Sequence, residues 1–223
     1  MIQALFLDAA GTLIEPAEPV AETYAQLLSP HLGTLTPAEL AHSFRSAIRS
    51  AGIPQYEGHP DGHPDGDQAE RQWWRDIVEL TVGKPVADPV FHHLFEHYAQ
   101  PQAWRIFPEV AECLSEIRQL GLRAAVVSNF DLRLHPLLKS FGLEFEQVVS
   151  SADARARKPS PVIFEHALQL MRLRPEEVLH VGDSKGADLI GAQEAGIRAF
   201  LIERPRTDLR DFLEWVRQSL PKG

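Results

Sequence analysis

The sequence holds one cysteine, Cys113. An internal disulfide framework is therefore excluded, and a reducing cytoplasm is the expected setting. Basic residues are also scarce, 22 Lys and Arg against 31 Asp and Glu, for a formal charge of −9. That balance speaks against a nucleic acid or an anionic membrane held by bulk charge. No apolar run reaches the ~18 residues that a membrane span needs. The opening MIQALFLD is expected to be a strand rather than a leader. Solenoid-length repeats and low-complexity tracts are missing too. What remains is 223 residues, 44% hydrophobic and 24% charged, which suits one large globular domain or two smaller ones.

The first feature present is an apolar run, Ile2 to Leu7, closed by Asp8, Ala9, Ala10, Gly11 and Thr12. A continuous apolar run ending in a glycine turn reads as a buried strand of a parallel sheet. Asp8 then falls at the strand's carboxyl end, where open α/β sheets place their chemistry. A carboxylate there is costly without a positive partner, which points to a metal or an anionic substrate.

Beyond Leu13 the pattern turns helical. Periodicity runs from Val20 to Leu28. A second helix opens at Thr36-Pro37-Ala38-Glu39, with threonine as cap, proline at the first position and glutamate reaching back, and it ends near Gly52. Residues 54–66 form a turn-rich loop. Asp67 and Glu70 open a third helix carrying Trp73, Trp74, Ile77, Val78 and Leu80, and a fourth spans Asp88 to Tyr98. Residues 15–105 are thus expected to be all-helical. From Pro108 helices and strands alternate. The order is helix 108–120 closed by Gly121, strand 122–128, helix 132–141, strand 146–150, and a helix entered at Ser160-Pro161. Strand 178–182, a helix ending at Gly196, strand 197–202 and helix 208–219 follow. This is the rhythm of βαβ units. The first strand has no local partner and must join the later block. The expected fold is α/β: a Rossmannoid parallel-sheet core, residues 1–14 and 106–223, with an inserted helical cap domain, 15–105.

Strand ends of one parallel sheet converge on one crevice. There the pattern gathers Asp8, Thr12, Ser128, Asn129, Lys158, Asp183 and Asp188. Carboxylates, a lysine and small hydroxyls suit a hard cation and a phosphoryl group. Oxygen donors favour Mg²⁺, while Lys158 and backbone N–H groups near Gly11 balance anionic charge.

Four motifs stand in order along the chain: DAAGT at 8–12, Ser128-Asn129, Lys158, and GDSKGAD at 182–188. In this the chain resembles the haloacid dehalogenase superfamily, subfamily I with a helical cap. RQWW at 71–74 and VVSNFD at 126–131 are similar to its haloacid-dehalogenase-like hydrolase domain-containing group. The resemblance implies Asp8 as a nucleophile that forms an aspartyl-phosphate. It implies Mg²⁺ held by Asp8, Asp183 and the Ala10 carbonyl, with Asp188 in support. Ser128 and Lys158 would hold the transferring group, Lys158 also orienting Asp8. Gly11, Thr12 and Asn129 are the expected phosphate contacts, although Asn129 could instead only end its strand. The expected partner is a small phosphorylated metabolite, and the chain a monomer or homodimer.

Position 10 departs from that family. Most of its phosphatases carry aspartate there, to protonate the leaving oxygen and later activate water, and alanine does neither. A positioned acid or base is worth ~10²–10⁴-fold. Three readings compete: a phosphatase for good leaving groups, a different chemistry, or a ligand-binding protein with little turnover. Dehalogenases also lack this aspartate but typically lose the one equivalent to Asp183. Phosphonoacetaldehyde hydrolase has alanine here and needs a lysine in the cap, where Lys84 is the only one.

Elsewhere, structural roles are expected. His59, Asp61, His63 and Asp65 read as a solvated turn pair, and His92, His93 and His97 as packing or surface rather than zinc. One of Trp73 and Trp74 should fill the cap core and the other face the cleft. Arg45, Arg49 and Arg71 read as solvated, with a substrate's distal anion as the alternative. Asp131 is expected to cap the next helix, and Cys113 to be inert filler.

Overall fold

The computed structural model describes residues 1–56 and 66–220. The elements in chain order are β1 (Ala4–Leu7), β2 (Ile14–Pro16), α1 (Val20–Leu32), α2 (Pro37–Ser50), α3 (Gly66–Val82) and α4 (Asp88–His97). Then come β3 (Trp104–Ile106), α5 (Val110–Gln119), β4 (Arg123–Ser128), α6 (Leu134–Ser140), β5 (Gln147–Ser150), α7 (Ser151–Ala154) and α8 (Pro161–Met171). The chain ends with β6 (Val178–Gly182), a π-helical turn Lys185–Ile190, α9 (Gly191–Glu194), β7 (Arg198–Leu201) and α10 (Leu209–Ser219). Two compact units result: Met1–Glu15 with the chain from Ile106 onward, and Pro16–Arg105.

The first unit is a parallel α/β sheet in the order β5-β4-β1-β6-β7, a Rossmann-like arrangement. Central β1 hydrogen-bonds β4 on one side and β6 on the other, with Leu7 level with both Val126 and Val181. Strand order reverses at β1, so a crevice opens beside its carboxyl end. Every β1 residue is fully buried, as a strand covered on both faces requires. Ala4 and Phe6 pack with Val127, Val149, Phe164, Leu168 and Ala192 beneath α8 and α9. Leu5 and Leu7 alternate onto the other face.

The second unit is a bundle of α1–α4 around Tyr24, Leu28, Leu40, Val78, Phe91 and Leu94. Beside it Trp73 packs on Ala47 and Ile77, with its indole N–H on the Gly52 carbonyl at 3.1 Å. Of the two tryptophans, one of them expected to face a cleft, Trp74 is half-buried edge-to-face on Trp73 and packs against both clusters.

Three expectations need correction. The stretch 15–105 is not all-helical, since β2 and β3 pair in a two-stranded ribbon along which the chain leaves the sheet unit and returns. Helix α1 continues past Leu28 to Leu32 with Pro30 inside it. Its C-terminal carbonyls find partners: the Gly33 N–H donates to Ser29 O at 3.1 Å and Lys84 Nζ to Leu32 O at 2.6 Å. The segment after β6 is a π-helical turn leading into a short α9 rather than one regular helix. Among the described residues no helix is long and apolar enough to cross a membrane.

Candidate active site

All the site residues lie in the sheet unit. Asp8 directly follows β1, and its N–H donates to Val181 O at 2.9 Å, so the last ladder bond fixes where the carboxylate emerges. The side chain is almost fully buried. Such an ion needs a paired charge, and Lys158 supplies it, with Nζ 2.7 Å from Asp8 Oδ1. The same ammonium donates to Val127 O at 2.9 Å and Asp188 Oδ1 at 2.5 Å. An ammonium has three hydrogens, and all three are thus committed to the protein. Lys158, expected both to hold the transferring group and to orient Asp8, sits where it orients Asp8.

The backbone of Lys158 is fixed by Asn129. Its Oδ1 accepts the Lys158 N–H at 2.7 Å, and its Nδ2 donates to Lys158 O at 2.9 Å. Asn129, expected either to contact phosphate or only to end its strand, thus has both side-chain amide atoms on the Lys158 backbone. Gly191 lets the next residue approach, because a Cβ there would come 2.7 Å from Pro159 Cα. Ser128 ends β4 one residue beyond the level of Asp8, buried at the neighbouring strand end. Asp131 is fully buried and accepts from the Arg133 N–H at 3.1 Å and from its guanidinium, which organises the turn into α6.

The turn after Asp8 is tight. The Gly11 N–H donates to Ile14 O at 2.7 Å and the Thr12 N–H to Ala9 O at 3.2 Å. Gly11 has φ +89°, and a Cβ there would overlap the Asp183 carboxylate, so both backbone and space demand glycine. Thr12 is fully buried, with no protein partner for Oγ1 among the described residues. Its side chain lies inside the fold.

Asp183 and Asp188 complete the acidic side. With Asp8 they bring carboxylate oxygens within 4.8 Å of one another, the one such group of three potential ligands among the described residues. Asp188 is buried and fully used: Oδ1 meets Lys158 and His180 Nε2 at 3.0 Å, and Oδ2 accepts the Ser184 N–H at 2.9 Å. Gly182 makes room for it, since a Cβ there would strike its carboxyl group. Burial pushes the Asp8 carboxyl up to about 6, with Lys158 opposing and Asp188 reinforcing the rise. Burial would raise Asp188 likewise, but Lys158 and His180 outweigh it and hold its carboxyl well below the usual range. Asp183, the exposed member, is raised by partial desolvation and by the charge of Asp188. Three carboxylates face one ammonium, so the cluster lacks positive charge. Its hard oxygen donors fit a divalent cation.

Sequence reasoning missed His180, Glu109 and Arg204. His180 is a polar residue inside the apolar run VLHVG, which was a usable signal; it is fully buried with its ring edge-to-face on Phe164. Nothing local marks Glu109 or Arg204.

Other candidates have ordinary roles. Arg71 lies over the Phe95 ring at 4.6 Å and meets His92 at 3.0 Å, while Arg45 and Arg49 are exposed. His93 and His97 gain no further ligand among the described residues. Lys84 is exposed at the end of α1, which removes support for a buried Schiff-base lysine. Cys113 is buried, and burial with nearby carboxylates pushes its thiol up to about 12. His59, Asp61, His63 and Asp65 lie outside the described residues.

A parallel α/β sheet thus presents a lysine-paired aspartate at its central strand end, with further carboxylates alongside, an arrangement of the kind hydrolases carry. Comparison with known proteins makes this specific: the chain belongs to the haloacid dehalogenase-like hydrolase family, whose model matches residues 2–196. The human haloacid dehalogenase-like hydrolase domain-containing protein 3 is 33% identical over 99% of this chain and 88% of its own length. Glyceraldehyde 3-phosphate phosphatase of Methanothermobacter thermautotrophicus is 33% identical over 49% of this chain and 50% of its own. The L-2-haloacid dehalogenase RSc1362 shares the fold, with TM-score 0.72 at 24% identity over 97% of this chain and 99% of that one.

Proposed function

We propose that this hydrolase is a Mg²⁺-dependent phosphatase acting on a small phosphorylated metabolite, with Asp8 as nucleophile. The observation that carries the reading is the Asp8–Lys158–Asp188 arrangement. One Asp8 oxygen is pinned by the ammonium, which leaves Oδ2 without a protein hydrogen bond among the described residues. That oxygen attacks phosphorus, the bond from phosphorus to the leaving oxygen breaks, and an aspartyl-phosphate forms. Water then hydrolyses the acyl phosphate and regenerates the carboxylate. Bound Mg²⁺, held by Asp8 and Asp183 with the Ala10 carbonyl and supported by Asp188, would screen the repulsion between the carboxylate and the phosphate. Retention of Asp183 and the acidic cluster supports this over dehalogenation. The phosphatase name of the archaeal relative supports it too.

Ala10 gives the leaving oxygen no proton. Acyl and aryl phosphates, whose leaving groups need little protonation, are therefore the favoured substrates. The same alanine favours a second reading, a phosphate-ligand-binding protein with little turnover. Incubation with acetyl phosphate and p-nitrophenyl phosphate separates the two. Turnover that is lost on chelation and in Asp8→Asn is the expected result. Binding of phosphate without turnover of either compound would instead establish the second reading, and release of halide from 2-chloropropionate would establish a dehalogenase.

A further inference from the structure

The loop after β7 carries Arg204, which no motif includes. Its guanidinium makes three hydrogen bonds. Nε donates to Gly11 O at 3.3 Å, and Nη2 donates to Thr12 O at 3.1 Å and to Glu109 Oε1 at 2.6 Å. The guanidinium carbon stands 3.5 Å from the centre of the Phe107 ring. Glu109 is nearly fully buried, so its carboxylate depends on this pairing. Arg204 is itself preorganised: Thr207 Oγ1 accepts the Glu203 N–H at 2.8 Å, and Glu203 O accepts the Arg206 N–H at 2.8 Å. A fixed turn thus aims a rigid fork at the carbonyls of Gly11 and Thr12 in the turn after the nucleophile.

From this geometry we infer that Arg204 is a positioning residue for the nucleophile turn. Gly11 and Thr12 lie beyond the last ladder bond of β1, so the sheet does not hold their carbonyls. Arg204 holds both, while Phe107 and Glu109 hold Arg204. The Phe107 N–H donates to Leu13 O at 3.1 Å, which closes the ring of contacts around the turn. The conformation that sets Gly11 against Asp183 and aims the Asp8 carboxylate therefore depends on a side chain from the far end of the unit. Lysine could neutralise Glu109 but could not present the planar fork to two carbonyls and stack on Phe107. Charge balance and positioning are thereby separable.

The experiment compares wild type, Arg204→Lys and Glu109→Gln by hydrogen exchange over residues 8–16, by thermal melting, and by kcat and KM for acetyl phosphate with Mg²⁺. The kinetic arm rests on the phosphatase reading, and the exchange arm does not. Arg204→Lys is expected to melt near wild type, to exchange faster over residues 8–16 but not over β4, and to lose about tenfold or more in kcat with little change in KM. Small misplacements of reacting groups have costs of that order. Glu109→Gln weakens the hold on the guanidinium without removing the fork, and is expected to exchange faster over residues 8–16 and to lose less kcat than Arg204→Lys. Wild-type exchange and kcat in a folded Arg204→Lys would overturn the inference. If Arg204→Lys does not fold, faster exchange over residues 8–16 in folded Glu109→Gln supports it and unchanged exchange overturns it. If wild type does not turn over acetyl phosphate, the functional reading fails while exchange still decides the role of Arg204.

Discussion

On the phosphatase reading, alanine at position 10 separates the two halves of phosphoryl transfer, since Asp8 would attack while no carboxyl group at position 10 serves the leaving oxygen. The penalty should scale with how much that oxygen needs a proton. Ala10→Asp is therefore expected to raise kcat/KM for glycerol phosphate, an alkyl ester, by about 10²-fold, and to change acetyl phosphate far less. Equal effects on both substrates would refute that assignment. Gly11 carries a different constraint. Gly11→Ala places a Cβ on the Asp183 carboxylate at a backbone angle of +89°, and a loss of about 1–3 kcal/mol of stability is expected in denaturant titrations. At this scale the sequence was legible where a residue acts through its own position. Asp8, Asp183 and Asp188 fall within one small cluster because strand ends of one sheet converge. The partners of Asn129 were not legible, because side-chain direction beyond a strand end is set by residues distant in sequence. Arg204 lies 193 residues from Gly11, and no local pattern could connect them.

Elements were legible where one force dominated. Apolar runs gave the strands of the sheet, and the Thr36 cap with Pro37 marked the start of α2, the Thr36 hydroxyl accepting the Glu39 N–H. Competition between signals hid the rest. Pro30 reads as a breaker, yet packing carries α1 past it, and the short β2 and β3 gain stability from each other rather than from their own residues. Helix α7 shows how local pieces are tied down. Ser150 and Asp153 form its capping box, and Asp153 also meets His135 of α6 at 2.7 Å. The hydrogen bond to Asp153 raises the His135 pKa. Burial would raise Asp153, but His135 and Ser150 outweigh it and lower its carboxyl. The histidine's contribution is full below its ordinary value of about 6.5 and is lost as pH rises through the raised value. The aspartate's is present above its ordinary value and is lost as pH falls through the lowered one. Their joint window is mildly acidic. His135→Gln should therefore lower Tm more at about pH 6 than at about pH 9. A Tm difference independent of pH would show that the pair is electrostatically idle.

Over the whole molecule the two units divide the work unevenly, because every carboxylate of the acidic cluster belongs to the sheet unit. That unit has its own hydrophobic core, built from β1, β4, β5, β6, α8 and α9. The chain leaves it after Glu15 and re-enters at Ile106, and Leu13 O accepts the Phe107 N–H at 3.1 Å, so the two ends lie side by side. Joining Glu15 to Ile106 through a short glycine-rich turn would close a smaller loop than the native insertion, at lower entropic cost. The excised sheet unit is expected to fold alone, with an α/β circular dichroism spectrum and a cooperative melt. Because the candidate cation ligands all remain, Mg²⁺ is expected to raise the Tm of the excised unit as well as that of the whole chain. Linkage gives about 2.7 kcal/mol at a hundredfold excess over Kd. Asp183→Asn in either background should remove the shift, since it neutralises a donor that no other residue replaces. An excised unit that folds but shows no response to Mg²⁺, beside a full-length chain that responds, would mean that the insertion supplies part of the site. A response shared by both and lost in Asp183→Asn would locate the cation chemistry wholly at the ends of β1 and β6.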